Sequence, residues 1–285
     1  MSQPAETPAG GDSLSFAQYF QTPEHHGFLW EGDGPAAVLV HGFPGTPAEM
    51  RALAEALHGA GWTVQGLLLP GFGPEIDSLA GRTYAEWIAA ARQAVAALRA
   101  RQQPTLLIGF SMGSAVALNA AAREPLDGLV LMAPFWKLGL LGALIPVMGQ
   151  VFPEIQPLRL MRPDFSNPEV RKGINNFMPG LDLGDPAVQA NVRRFTVPVR
   201  ILDEVRKVGE AAGRAAPQVE APTLVIQGRS DPVVRATLTR RLAVQVPGLS
   251  RYLEVSAAHD LMDSTRPAWP EIIDALLTFG DQLKR

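Results

Sequence analysis

Residues 107–122 read Leu-Ile-Gly-Phe-Ser-Met-Gly-Ser-Ala-Val-Ala-Leu-Asn-Ala-Ala-Ala, and no other segment is as informative about the architecture. An apolar strand runs through a G-x-S-x-G motif, residues 109–113, into a run of small, helix-favouring residues. The small residues around the serine allow a tight, strained turn that lifts its hydroxyl out of the sheet. The pattern predicts that Ser111 is a nucleophile. The alternative is a turn that only joins a strand to a packing helix.

Apolar segments alternate with amphipathic segments on both sides of this motif. Uninterrupted apolar strands separated by helices predict an α/β fold with a mostly parallel sheet that helices cover on both faces. The predicted strands are 36–40, 64–69, 105–108, 129–132, 224–226 and 251–255, and the predicted helices are 47–59, 83–101, 232–244 and 267–283. The helix after the motif, 114–122, belongs to the same alternation.

The alternation breaks between Met132 and Thr223, where roughly ninety residues separate two strands that a much shorter crossover could join. The excess predicts an inserted helical cap, 135–221, over the carboxyl edge of the sheet, where ligands bind in such folds. A helix near 199–213 alternates basic and acidic residues, which indicates a solvated face. The predicted division is a flexible N-terminal segment, 1–25, a core formed by 26–134 and 222–285, and the cap.

Composition excludes several classes of protein and site. The chain has no cysteine, which rules out disulfides, thiolate zinc sites and cysteine nucleophiles. A net charge of −3 without a basic block argues against a nucleic-acid partner. The most apolar stretch, 138–152, is too short for a membrane span and contains Gly and Pro, and residues 1–11 lack a signal-peptide pattern. We therefore expect a cytoplasmic protein without a transmembrane segment.

A serine hydroxyl needs a base to become a nucleophile, and histidine is the usual base because its pKa lies near ~6.5. The chain has five histidines. In a strand–turn–helix serine site the partners follow in the order Ser, Asp or Glu, His. Only His259 lies after Ser111, in a loop of small residues behind the last predicted strand. The order therefore favours His259 as the base over a solvent-facing loop histidine.

The acid that orients this base should lie in a loop after a late strand, and Asp231 does. Asp231 precedes Pro232, so helix capping with proline at the first helical position could also explain it. Three further carboxylates remain as competitors: Asp260, Asp263 and Glu254.

An oxyanion needs two fixed N–H donors. The amide of Met112, at the start of the helix after the serine, is one candidate. The second should come from the loop after the strand 36–40, where Pro44 and Pro47 carry no N–H and Phe43 is the best-placed donor. We expect His41 to hold the geometry of that loop rather than act as a base.

The ordered motifs H-G-F-x-G-T-P, G-F-S-M-G, a late D-P and a final His resemble the α/β-hydrolase fold family from about His26 onward. Within that family the chain is similar to small bacterial carboxylesterases and monoacylglycerol lipases. The resemblance implies a helical cap that forms acyl and alcohol pockets. It also implies a nucleophile, a base, an acid and two oxyanion donors: Ser111, His259, Asp231, Phe43 and Met112. Ser114 and Ala258 stand where many relatives carry glycine.

These observations predict a serine carboxylic-ester hydrolase that works through an acyl-enzyme without metal or cofactor, on small-molecule esters with short to medium acyl chains. The cap opens with apolar residues, so Phe135, Trp136 and Leu138, with Phe43, are the predicted substrate-binding residues. The alternative is that the cap residues pack among themselves. C–C bond hydrolysis, perhydrolysis, acyl transfer and a weakly catalytic binding module also remain open, as does the oligomeric state.

Overall fold

The computed structural model describes residues 16–138, 142, 144–177 and 181–284. Its main sheet has the strand order β1-β3-β2-β4-β5-β8-β9, and all neighbours are parallel except β1 and β3. The strands are β1 Phe28–Trp30, β2 Ala36–Val40, β3 Thr63–Leu67, β4 Thr105–Phe110, β5 Gly128–Met132, β8 Thr223–Gly228 and β9 Leu249–Val255. A small antiparallel pair, β6 Glu154–Ile155 and β7 Val197–Pro198, lies in the segment that the sequence predicts to be a cap.

Helices cover both faces of the main sheet. The described helices are α1 Arg51–Gly59, α2 Tyr84–Arg99, α3 Met112–Ala121, α4 Ile145–Val151, α5 Pro157–Met161, α6 Pro168–Phe177, α7 Pro186–Arg193, α8 Val199–Ala215, α9 Ala236–Ala243 and α10 Trp269–Gln282. Short 3-10 helices include Pro47–Met50 and Gly73–Gly81.

The predicted α/β fold with a mostly parallel sheet is confirmed. One face of the sheet packs against α2, α3 and α8, and the other against α1 and α10. The strand β2 is completely buried between these layers, as its unbroken apolar sequence requires. Thr83 and Glu86 form a capping box at the start of α2.

Several boundaries differ from the sequence prediction. The helix expected over 47–59 begins as the 3-10 helix Pro47–Met50, and the one expected from 232 begins only at Ala236. The antiparallel strand β1 was not predicted, because three residues are too few to show a periodicity. Part of the segment expected to be flexible is packed, since Phe20 and His25 are fully buried, and the rest, 1–15, lies outside the described residues.

The helix α8 packs against α3, and its buried residues Ile201, Val205 and Val208 join the main core. Among the charged residues of α8, Glu204 is buried and accepts the Tyr84 N–H over 3.0 Å, whereas the others are more exposed and include an ion pair of 2.7 Å between Arg206 and Asp203. Only one side of α8 is therefore the solvated face that the charges predicted. The assignment of all of 135–221 to a separate cap stays a prediction.

Within the described part of the chain, no helix combines the length and apolar character needed to cross a bilayer. In the same residues no cluster of three or more His, Asp or Glu side chains is placed to hold a metal ion.

Candidate active site

The turn at Ser111 joins β4 to α3 in the strained geometry that the G-x-S-x-G motif predicts. Ser111 has φ +54°, a conformation that residues with a side chain rarely adopt. A Cβ atom on Gly109 would lie 2.4 Å from the carbonyl oxygen of Gly113, and one on Gly113 would lie 2.1 Å from that of Val40. Both positions therefore require glycine. The Ser111 N–H donates to the Met132 carbonyl over 2.9 Å, which ties the turn to β5.

The residue Ser114, which stands where many relatives carry glycine, has a structural use here. Its buried hydroxyl lies 2.6 Å from the Gly109 carbonyl, to which it donates, and accepts from the Met132 N–H over 3.1 Å. The hydroxyl thereby connects α3 to the neighbouring strands β4 and β5.

The structure brings together three residues that the sequence predicted as a catalytic set. His259 Nε2 lies 3.1 Å from Ser111 Oγ, and His259 Nδ1 lies 2.7 Å from Asp231 Oδ2. Ser111 comes from the turn after β4, Asp231 from the loop after β8, and His259 from the loop after β9, at the carboxyl edge of the sheet. This is the contact chain through which a carboxylate orients an imidazole and the imidazole accepts a serine proton.

The competing carboxylates have other partners. Asp260 pairs with Arg266 over 2.5 Å, and Glu254 pairs with Arg240 over 2.6 Å. Asp263 pairs with Lys172 of α6 over 2.5 Å. Among the described residues, Asp231 is the carboxylate in hydrogen-bond contact with the His259 ring.

Asp231 makes the contacts that each of the two roles left open by the sequence would need. While Oδ2 faces His259, Oδ1 accepts the N–H groups of Val233 and Val234, each over 2.8 Å, so it caps the turn that precedes α9. Burial works to raise the pKa of Asp231, but the hydrogen bond and charge of His259 and these N–H donors outweigh burial and lower that pKa. Asp231 is therefore held as a carboxylate. Gln227, whose Nε2 lies 3.3 Å from Oδ2, supports it from β8.

The buried ring of His41 serves the loop after β2, as predicted. Its Nδ1 lies 2.9 Å from the Gly42 carbonyl, and its Nε2 accepts the Leu69 N–H over 3.2 Å. Burial lowers the pKa of His41 to about 4, so the ring is neutral at neutral pH. His41 thus links this loop to the end of β3.

The two predicted oxyanion donors both lie near Ser111: Met112 directly follows it, and Phe43 follows Gly42, where a Cβ atom would lie 3.2 Å from Ser111 Cβ. Met112 is the first residue of α3, where a helical N–H has no acceptor within its own helix. The Phe43 N–H has no acceptor among the described residues, and the Phe43 ring packs edge-on against Phe72. Both amides are therefore available to a ligand, and their role stays a prediction.

The predicted substrate residues of the cap separate into two groups. Trp136 packs against Gly209 and Gly213 of α8 and donates its indole N–H to the Leu238 carbonyl, so it connects α8 to α9. The Phe135 N–H donates to the Ser111 carbonyl over 3.2 Å, next to the nucleophile turn. Phe135 lines a cavity of about 780 Å³ together with Leu138 and Val233, and three basic residues, Lys137, Arg235 and Arg241, also line it.

The described apolar residues that follow are largely exposed. Leu140 and Leu141 lie outside the described residues. The large exposed side chains of α4 and its flanks, which we call the apolar cap surface, are Leu144, Val147, Met148, Val151 and Phe152. Their exposure, 58% for Phe152, argues against the alternative that they pack among themselves.

Sequence reasoning missed Glu49 and Gln227. Glu49 lies on the 3-10 helix Pro47–Met50 and accepts the Gly42 N–H over 2.8 Å, beside the predicted oxyanion loop. A glutamate in the first turn of a helix carries no signal of such a role, because acidic residues are common there. Gln227 ends a buried strand, and its polarity was the available signal.

Comparison with known proteins agrees with the fold. A family model described as "Serine aminopeptidase, S33" matches residues 35–263. A thermostable monoacylglycerol lipase of Bacillus sp. (strain H-257) is 39% identical over 94 residues, which cover 33% of this chain and only 38% of that lipase. A pyrrolizixenacetamide deacetylase of Xenorhabdus hominickii is 30% identical over 246 residues, 80% of this chain and 85% of that protein. A solved structure from a study of the metagenome-derived lipolytic enzymes LipS and LipT superimposes with a TM-score of 0.71 at 23% identity and covers 91% of this chain and 98% of its own.

Proposed function

The chain belongs to the α/β-hydrolase family whose model is described as serine aminopeptidase, S33, and on that basis we propose that it is a serine carboxylic-ester hydrolase that works through an acyl-enzyme. The observation that carries the proposal is the contact chain from Ser111 Oγ through His259 to Asp231, at 3.1 and 2.7 Å. The partial match to a named monoacylglycerol lipase supports an ester as the substrate.

In the proposed reaction Ser111 Oγ attacks the ester carbonyl carbon while His259 Nε2 takes the hydroxyl proton. Asp231 holds the Nδ1–H of the ring and stabilises the imidazolium that forms. The N–H groups of Phe43 and Met112 donate to the oxyanion. His259 then gives its proton to the leaving alcohol, and a water molecule, activated in the same way, releases the acid from Ser111.

We further propose short to medium acyl chains on small or glycerol-like alcohols as substrates. The cavity that Phe135 and Leu138 line is the candidate for the acyl chain, because Phe135 is hydrogen-bonded to the backbone of Ser111. Each methylene buried there would contribute about 0.8 kcal/mol, which is about fourfold in kcat/KM. Activity should therefore rise with chain length until the cavity is full.

The test is a kcat/KM series on p-nitrophenyl esters from acetyl to palmitoyl, with monoacylglycerols and an N-acetyl amide in parallel. We expect a maximum at a short or medium chain beyond acetyl, and ester turnover well above amide turnover. Leu138→Ser should flatten the rise, whereas Val244→Ser, which removes an exposed apolar side chain that does not line the cavity, should not.

Other outcomes would contradict parts of this proposal. A maximum at acetyl with steady decline would reject the acyl cavity. Amide turnover above ester turnover would favour a deacetylase activity, as in the name of the Xenorhabdus relative. Complete absence of turnover, with binding retained, would favour the ligand-binding alternative.

A further inference from the structure

Glu49 makes a contact that the reaction scheme above does not use. Its carboxylate oxygen Oε2 accepts the N–H of Gly42, seven residues earlier, over 2.8 Å. Gly42 directly precedes Phe43, whose N–H faces no acceptor among the described residues. The hydrogen bond therefore fixes the peptide next to the one that carries the proposed oxyanion donor.

The same carboxylate lies close to the nucleophile and fits tightly into the loop. A Cβ atom on Gly42 would lie 3.2 Å from Ser111 Cβ and 3.3 Å from Glu49 Oε2, so both groups border the same point. A Cβ atom on Gly45 would lie 2.6 Å from Glu49 Oε2. The loop thus wraps around the carboxylate, and glycines at 42 and 45 make room for it.

The base of the 3-10 helix that carries Glu49 is fixed from the other side. The Thr46 hydroxyl accepts the Ala48 N–H at the start of that helix, and it lies 2.8 Å from Nδ1 of the buried His25. The backbone that carries Glu49 is therefore held in place, which keeps its carboxylate in position against the loop.

Glu49 also shares a cavity with the catalytic histidine. A space of about 480 Å³ is lined by Glu49, Phe110 and His259, with Glu24, Arg51 and neighbouring residues. Burial raises the pKa of Glu49, while the Gly42 N–H and His259 act in the opposite direction. A carboxyl group that is costly to bury is thus held by a contact with the oxyanion loop.

We propose that Glu49 is a positioning residue of acyl transfer, which holds the Gly42 peptide so that the Phe43 N–H is aimed at the developing oxyanion. The inference rests on the proposed function. We expect the charge of Glu49 to have a small net effect on the reaction, because the transition state places a positive charge on His259 and a negative charge on the oxyanion, and these respond to Glu49 with opposite sign. The acceptor oxygen, rather than the charge, carries the role.

Two substitutions separate the acceptor from the charge. Glu49→Ala removes both, and we expect kcat to fall about 10- to 100-fold with KM nearly unchanged, somewhat less than the loss of a whole oxyanion donor. Glu49→Gln keeps an oxygen that can accept the Gly42 N–H, and we expect it to retain kcat within about threefold. Glu24→Ala, which removes a solvated carboxylate from the same cavity, is the matched control and should leave kcat unchanged.

A boronic acid that forms a tetrahedral adduct on the serine tests the mechanism directly, because its adduct oxygen occupies the oxyanion position. Its inhibition constant should increase in Glu49→Ala by the factor by which kcat/KM falls, and remain near the wild-type value in Glu49→Gln. A role in folding alone would lower the thermal midpoint without this parallel change in boronate affinity.

The outcomes of this experiment distinguish the two proposals. If wild-type protein neither hydrolyses esters nor binds the boronate, the proposed function fails. If wild-type protein does both and Glu49→Ala matches it, the role of Glu49 is overturned. Equal losses in Glu49→Ala and Glu49→Gln, with both variants folded, would assign the effect to the charge and reject the acceptor role.

Discussion

Replacement of Asp231 by asparagine tests the acid of the proposed triad with the least structural change. The Asn side-chain oxygen can take the place of Oδ1 and accept the N–H groups of Val233 and Val234. Its amide nitrogen then occupies the position of Oδ2, 2.7 Å from His259 Nδ1. Since an amide nitrogen only donates, His259 must accept at Nδ1 and carry its proton on Nε2.

That tautomer cannot remove a proton from Ser111, because Nε2 already bears one. A substitution of this kind in a Ser-His-Asp triad lowers kcat by about 10⁴-fold, which corresponds to about 5.4 kcal/mol of transition-state stabilisation. Folding stability should change little, since Asn caps a turn about as well as Asp.

The assay is steady-state hydrolysis of a short-chain p-nitrophenyl ester, with thermal unfolding measured on the same samples. Asp260→Asn is the matched control: this carboxylate adjoins His259 in sequence but pairs with Arg266, so kcat should stay within a few-fold of wild type. The reasoning is refuted if Asp231→Asn keeps more than a tenth of wild-type kcat, or if Asp260→Asn loses as much activity as Asp231→Asn.

Three further predictions follow from other contacts. Ser111→Ala should lower kcat to a residual of about 10³ over the uncatalysed rate, and a fluorophosphonate should label the Ser111 peptide of wild type; label on another serine would contradict the assignment. Ser114→Ala leaves the buried Met132 N–H without its acceptor and should cost about 1–3 kcal/mol in denaturant unfolding, whereas the exposed Ser250→Ala should be neutral; equal effects would reject this account. The folded-state pKa of His41 is lowered to about 4 from an ordinary 6.5, so its contribution to stability is complete above pH 6.5 and is lost as pH falls toward 4. Unfolding free energy over that range should therefore depend more steeply on pH in wild type than in His41→Gln, and identical slopes would count against a neutral buried ring.

Much of the fold could be predicted because the chain's local patterns agree with its tertiary structure. The strands of the main sheet are buried on both faces, so β2, β4 and β5 are written as unbroken apolar runs. The glycines of the nucleophile turn are required by backbone contacts, which is why the motif reports the turn reliably. The order of the motifs along the chain singled out Ser111 and His259. Their contact then follows from the parallel topology, which brings the loops after the strands to one edge of the sheet.

The rest could not be predicted, because it depends on contacts between residues far apart in sequence. Whether Asp231 only caps a turn or also contacts the base depends on the position of the His259 ring, 28 residues later. Its two carboxylate oxygens make both contacts possible at once. The charge pattern of α8 shows its solvated side but not that the other side packs on α3. No periodic pattern in the sequence indicates the hydrogen bond between Glu49 and Gly42.

The contact between Ser111 and His259 spans 148 residues of chain and joins the loops behind β4 and β9. Contacts of such long sequence separation form late in folding, because loop-closure entropy must be overcome before they contribute. During refolding, hydrolytic activity should therefore return only when the edge strand β9 has docked, after helix content and the central strands are in place. Turnover of a chromogenic ester would then report the docking of β9. The lag between recovery of the far-UV circular dichroism signal and recovery of activity would measure the time that this step takes.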